Sequence, residues 1–176
     1  MPWPATASSS RPRPDPDRPV TPVRPEPRTR HLFRLEVNVT RQIVGQVPEG
    51  YARRAGIVSG GRFTGDRLSG AVLPGGGDWP RQRPDKGLAL DVRLMLRTDD
   101  GDTVYMTYTG RLIAPEDVRR RMAAGGTAHA DEMYFRTLVQ FEAATDARVA
   151  WLNDIVAVGI GSNGTQGPGY EVYELL

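Results

Sequence analysis

Residues 88–113 read LALDVRLMLRTDDGDTVYMTYTGRLI, and the pattern of this stretch decides the fold. Leu90, Val92, Leu94 and Leu96 alternate with Asp91, Arg93, Met95 and Arg97. A period of two is the mark of a β-strand, and Asp100-Gly101 is a turn signal, so the stretch predicts a β-hairpin. A two- or four-residue loop pairs Thr98 with Thr103, Met95 with Met106, Arg93 with Tyr108 and Asp91 with Gly110. A three-residue bulged turn would break that pairing. Cross-strand partners share a face. On the two-residue register one face carries Asp91, Arg93 and Met95 beside Val104, Met106 and Tyr108. The other carries the four aliphatic residues beside Tyr105, Thr107 and Thr109.

Working outward, similar runs recur at 33–39 (FRLEVNV), 51–59, 67–73, 133–143, 150–160 and 170–176, with Gly, Pro, Asn or Asp in most gaps. Closely spaced strands without helices between them predict an all-β, antiparallel fold. Closing such a sheet removes its exposed edges. The predicted architecture is a closed or nearly closed antiparallel β-barrel of about eight strands. One short covering helix is predicted at APEDVRRRMAAGG, which opens on Pro115 and two acids and ends on arginines and Gly125-Gly126.

Residues 1–30 differ from the rest. They hold nine prolines, six arginines and three acids, with hardly an aliphatic residue. Such a segment buries too little apolar surface to offset its ordering entropy, which predicts a disordered tail before a single barrel domain at 31–176. Subtracting the tail from the formal charge of +2 leaves the domain near −1. The basic pI of 9.2 is therefore the tail's property, and no nucleic-acid partner is expected. No stretch is apolar and long enough for a signal-peptide core or a membrane span, so a cytoplasmic location is expected.

The chain has no cysteine, which excludes disulfides, thiolate nucleophiles and cysteine-based metal sites. His31 and His129 lie in unrelated segments, and Lys86 is the lone lysine, set among turn residues. No metal site and no cofactor is expected. Gly159–Gly164 (GIGSNG) matches a dinucleotide fingerprint, but no helix can follow it, so it reads as a hairpin loop. Leu73–Trp79 (LPGGGDW) has no Lys-Ser/Thr and no following helix, so it is not a phosphate-binding loop. It reads as a tight turn at a barrel mouth that delivers Asp78 and Trp79. In MYFRTLVQFEA, Arg136, Gln140 and Glu142 share one side of a strand. Trp151 and Asn153 share a face of the next.

Five segments in order, Gly60–Gly65, LSGAVLPGGGDW, LDVRLMLRTDDGDTVYMTYTG, YFRTLVQFE and WLNDIVAVG, resemble the DUF3237 (UPF0311) family over residues 31–176. The Asp-x-Arg of that pattern matches at Asp91 and Arg93, the tyrosine and glycine after the turn at Tyr108 and Gly110, and Trp-Leu-Asn at Trp151 to Asn153. A third glycine, Gly77, stands where the family more often has alanine. The resemblance implies a small antiparallel β-barrel that self-associates as a homodimer or larger homo-oligomer, with no obligate metal or nucleotide. It implies no reaction.

With metal, thiol, triad and nucleotide chemistry set aside, what remains is acid–base work in a shaped pocket. The functional expectation is an isomerase, cyclase or lyase on a small organic molecule, of the kind used in secondary metabolism. Asp78 or Asp91 would move a proton, Arg93 would hold a carboxylate or enolate-like oxygen, and Tyr108 would donate a neutral hydrogen bond. Trp79, Met95, Met106 and Trp151 would shape the cavity, with Arg136, Glu142 and Asn153 as further substrate contacts. A non-catalytic small-molecule carrier is the alternative, and a partner-docking protein using the Pro-rich tail is a third.

Overall fold

A computed structural model describes residues 25–176. Its central hairpin pairs β6 (Leu88–Thr98) with β7 (Thr103–Ile113). The ladder ends at Arg97 opposite Thr103, one residue away from the two-residue register. The Thr98 N–H donates to the Asp102 carbonyl at 2.9 Å, and the Gly101 N–H donates to the Thr98 carbonyl at 2.9 Å. Gly101 adopts φ +96°. This is the bulged three-residue loop, which needs a left-handed residue where the chain supplies glycine. The consequence is a change of partners: Leu90 faces Gly110, Val92 faces Tyr108, Leu94 faces Met106 and Leu96 faces Val104. Leu90, Val92, Leu94 and Leu96 therefore share one face with Val104, Met106 and Tyr108, and Asp91, Arg93 and Met95 lie on the other with Tyr105, Thr107 and Thr109.

The remaining strands are β1 (Thr29–Gln46), β2 (Ala52–Thr64), β3 (Gly70–Val72), β4 (Gly77–Asp78), β5 (Arg81–Gln82), β8 (Tyr134–Ala143), β9 (Ala157–Asn163) and β10 (Pro168–Leu175). Antiparallel neighbours run β1-β10-β9-β8-β7-β6. The three short strands β3, β4 and β5 lie in turn between β6 and β2, and β2 returns to β1. The sheet thus closes into a ring of eight staves, seven continuous and one in three pieces, which gives the barrel-like, mostly β fold expected. The helix α1 (Glu116–Ala123) leaves β7 and leads back to β8, with Glu116 and Asp117 in its first turn and Arg120 and Arg121 in its last. Val118 is its buried residue.

Two local expectations change. The run 150–160 is not one strand: Ala150–Asp154 forms a 3-10 turn before β9 begins at Ala157. Val149 and Leu152 are buried at a spacing of three, which suits a turn of helix and not a pleat. Gly159–Gly164 is mostly strand β9, not a loop. A Cβ on Gly161 would lie 2.4 Å from the Phe135 ring, so that glycine makes room for an inward aromatic. At the other terminus, β1 already begins at Thr29. Residues 1–24 of the expected tail lie outside the described residues.

Inward side chains fill one end of the ring. Phe33 packs edge-on against Phe63 and Phe141, with ring centroids 5.4 and 6.1 Å apart, and Leu35, Leu96 and Val104 close around them. The opposite end, where β6 starts and β7 finishes, stays open.

Ring closure depends on close backbone approach between β1 and β2. Gly61 has φ +151°, and a Cβ there would sit 2.2 Å from the Glu36 carbonyl oxygen. Gly61→Ala is expected to lower unfolding free energy by about 3 kcal/mol or more, since strain and a backbone clash act together. Urea unfolding checks this, and a loss of under about 1 kcal/mol would refute the account.

Candidate functional site

One rung of the ring organises the open end. Arg41 pairs with Gly56, Gly56 with Asp78, Asp78 with Val92, Val92 with Tyr108, and Tyr108 with Val139. Partners in an antiparallel ladder share a face, so all six residues are turned the same way. That way is inward, because Val92, Tyr108 and Val139 are buried. The rung meets a cavity of about 850 Å³, counting its open mouth, walled by Val37, Val58, Leu90, Val92, Leu94 and Phe135. Asp78, Tyr108 and Tyr170 bring polar atoms to this apolar wall, and Arg41, Arg54 and Asn163 stand at the mouth.

The LPGGGDW stretch explains how a carboxylate reaches the wall. Leu73 donates to the Met95 carbonyl at 2.8 Å and Trp79 to the Asp91 carbonyl at 2.9 Å, so the chain stays laced to β6 on both sides of the glycines. The segment is a stave with a break in it, not a terminal turn. A Cβ on Gly76 would meet the Arg93 carbonyl oxygen at 2.6 Å, and one on Gly77 would meet the Trp79 ring at 2.8 Å. Trp79 thus folds over Gly77 on the outer face while Asp78 points into the lumen.

Burial pushes the Asp78 carboxyl up from its ordinary 3.8 to about 7. The Asp91 backbone N–H, which donates to it at 3.2 Å, pulls the other way, and the charge of Asp91 adds to the rise. Beside it the rings of Tyr108 and Tyr170 meet edge to face at 5.3 Å. Burial raises both phenols above their usual range, and the Asp78 charge adds to each, so both remain neutral donors. One acid balanced near neutrality beside two phenols can exchange a proton with a bound molecule and donate hydrogen bonds to an oxygen on it. Among the described residues no group of three or more His, Asp or Glu side chains is arranged to hold a metal ion.

Of the residues singled out from the sequence, the structure brings Asp78 and Tyr108 together at the cavity. The one-residue register change turns Asp91, Arg93 and Met95 outward, and the others also lie away from the cavity lining. Asp91 and Arg93 form a 3.0 Å ion pair on the outer face, each side chain about 50% exposed. Met95 is 37% exposed on that face, whereas Met106 is buried in the core. Trp79 lies outside, its ring centroid 5.7 Å from the Arg93 guanidinium. Arg136 turns outward beside Tyr134, and Glu142 is exposed, because the buried set of β8 is Phe135, Thr137, Val139 and Phe141. Trp151 is stacked under the Arg67 guanidinium at 3.7 Å, away from the cavity. Asn153 accepts from the Ala143 N–H at 2.8 Å and donates to its carbonyl at 3.1 Å, tying off the end of β8. Tyr170, Arg41, Arg54 and Gly56 were not singled out. The alternation of YEVYELL places Tyr170 with Val172 on one face, which is the signal that finds the first of them.

Comparison with known proteins agrees with this fold. The profile of the family described as "Protein of unknown function (DUF3237)" matches residues 27–175. A UPF0311 protein of Rhodopseudomonas palustris is 28% identical over 149 residues, 84% of this chain and 96% of that one. A crystal structure of a conserved protein of unknown function from the same organism superposes with a TM-score of 0.81 at 27% identity, over 87% of this chain and all of the other. A protein of Acinetobacter baumannii described as beta-barrel like gives a TM-score of 0.74 at 27% identity, over 88% and 99% of the two chains. A structure described as an enzyme from Penicillium herquei shares the fold with a TM-score of 0.62 at 18% identity, over 88% and 99%.

The raised carboxyl makes a stability test. Below about pH 4 Asp78 is neutral both folded and unfolded. Between there and about 7 the folded protein keeps a proton that the unfolded chain releases, so stability falls as pH rises through this window. Over about three pH units the loss is on the order of 4 kcal/mol. Asp78→Asn, which still accepts from Asp91, should escape it. Its stability relative to the parent is expected to rise by that order between pH 4 and pH 8 in urea titrations. An unchanged difference across the range would show that Asp78 is not desolvated.

Proposed function

The chain belongs to the DUF3237 family, and from that premise we propose that it is an enzyme acting by acid–base chemistry on a small organic molecule, most simply an isomerase. The observation that carries this is Asp78, a lone carboxyl on an apolar lumen wall with two neutral phenols beside it. The fold is compatible with catalysis, since the Penicillium herquei protein that shares it is described as an enzyme.

In the simplest reaction the Asp78 carboxylate removes a proton from a carbon next to a carbonyl. The C–H electron pair becomes the C=C bond of an enolate, and the carbonyl π pair moves onto oxygen. Tyr108 or Tyr170 donates a hydrogen bond to that oxygen, where the charge develops. In a substrate with a C=C bond next to the deprotonated carbon, Asp78 then returns the proton to the far carbon of the conjugated dienolate. The C=C pair there forms the new C–H bond, so the double bond moves one position. Atoms and electrons balance without an oxidant. A group titrating near 7 is close to the optimum for both halves of the exchange. Asp91 and Arg93, on the outer face, have no part in this reading. A cytoplasmic location and self-association remain part of the proposal.

The carrier alternative uses the same lumen without the proton transfer, so the test must read chemistry. The probe is 2-tetralone, an apolar bicyclic ketone with acidic C–H bonds next to its carbonyl. In D2O the protein is expected to accelerate exchange of those hydrogens, with a rate that rises through about pD 7. Asp78→Asn should lose at least ~100-fold. Binding of 2-tetralone with no exchange above solvent would assign the carrier role instead.

A further inference from the structure

We infer that the natural ligand of this lumen is an amphipathic carboxylate, whose apolar, ring-bearing body lies against the walls while its charged end rests between Arg41 and Arg54. The inference rests on the lumen being a small-molecule site and adds what kind of molecule it takes.

The pairing of β1 with β2 sets Arg41 opposite Gly56 and Ile43 opposite Arg54. Arg41 and Arg54 are therefore diagonal neighbours on one face, at a Cα separation of roughly 7–8 Å. Both stand at the mouth of the cavity. Several other arginines of the barrel are held by carboxylates. Arg30 and Arg67 meet Glu174, Arg34 meets Glu36 and Glu171, and Arg93 meets Asp91. Arg41 instead donates to the Asn163 Oδ1 at 3.1 Å, and Arg54 to the Gln82 Oε1 at 2.8 Å. A neutral amide orients a guanidinium without cancelling its charge. Asn163 is itself anchored, its Nδ2 donating to the Gly126 carbonyl at 3.1 Å. The mouth thus presents two aimed cations, and a carboxylate has the charge and the paired oxygens they fit.

Gly56 connects this pair to the acid. A Cβ there would lie 3.8 Å from the Asp78 Cβ and 3.9 Å from the Val39 Cβ, ordinary contact distances. The position tolerates a side chain and has none, so the surface between Arg41 and Asp78 is open. Two strand spacings separate them, ~10 Å. The ligand's carboxylate and the atom that meets Asp78 must therefore lie at opposite ends of its body, as a two-ring skeleton allows. The walls along the way are Val37, Val58, Leu90 and Val92, which offer contact area and no hydrogen bonds.

The test compares two probes of one shape, 2-naphthoate and neutral 2-naphthamide, by calorimetry at pH 7 and low salt. The parent protein is expected to bind the carboxylate at least tenfold more tightly, with a preference that shrinks as salt is raised. In the double variant Arg41→Met/Arg54→Met the ratio of the two affinities should fall to about one. Gly56→Leu, which fills the path, should lose both probes. Equal affinities in the parent would overturn the inference while leaving the lumen a small-molecule site. If neither probe binds, both fall. Retention of 2-naphthoate by Gly56→Leu would place binding elsewhere and overturn the inference too. The parent comparison decides the matter alone if the double variant does not fold.

Discussion

Everything inside this ring depends on one left-handed residue. With Gly101 at φ +96° the β6–β7 loop holds three residues, and Arg97 lies opposite Thr103. A closed antiparallel sheet propagates that choice, because each ladder passes its facing residues to the next strand. Val92 brings Tyr108 inward, Tyr108 brings Val139, and on the other side Val92 brings Asp78 and then Gly56 and Arg41. A slip of one residue in β6 against β7 would set aliphatic residues opposite Tyr105 and Thr107, leaving no face fit for a dry lumen. The turn and the lumen are one constraint seen at two places.

This also explains what could be read from the chain alone. The strands, the ring and α1 follow from short-range pattern: period two at 33–39 and 88–113, acids then arginines at 116–121. Register does not follow from pattern, since TDDGDT fits both a two-residue and a three-residue loop. The apolar face of a small barrel must nonetheless fill its interior, and Leu90, Val92, Leu94 and Leu96 already met that requirement. Placing Asp91 and Arg93 inside would have left that face outside. Asp78 was legible because the glycines before it mark a break that delivers the acid, although the break is a gap in a stave and not the tight turn expected. Tyr108 was expected in the lumen beside Asp91 and Arg93, and it lies there beside Val92 instead. Arg41, Arg54 and Gly56 were not legible. Their role depends on which end of the ring is plugged, and the plug joins Phe33, Phe63 and Phe141 from three distant segments.

The division of labour along the axis is energetic as well as geometric. The plugged end collects large side chains with almost no exposed area, Phe33, Phe63, Leu35, Leu96 and Val104 among them. Such burial contributes roughly 1.5–3 kcal/mol per side chain. The open end works against folding, with an acid that resists ionisation and walls that lack packing partners. A barrel this small carries such an end because its other half is close-packed.

The stave in three pieces bears on how such a site changes over time. Seven staves are continuous, and an inserted residue in one of them turns its inward side chains outward unless a bulge, as at Ile43–Gly45, takes it up. The pieces β3, β4 and β5 are joined by irregular links, where an added or lost residue is absorbed before the next rung. Asp78 sits on the middle piece, two residues long. The ring can therefore raise, lower or replace its acid by editing one short link, while the walls, the plug and the mouth keep their alignment. Such a scaffold separates the heritable shape of its cavity from the chemistry displayed within it.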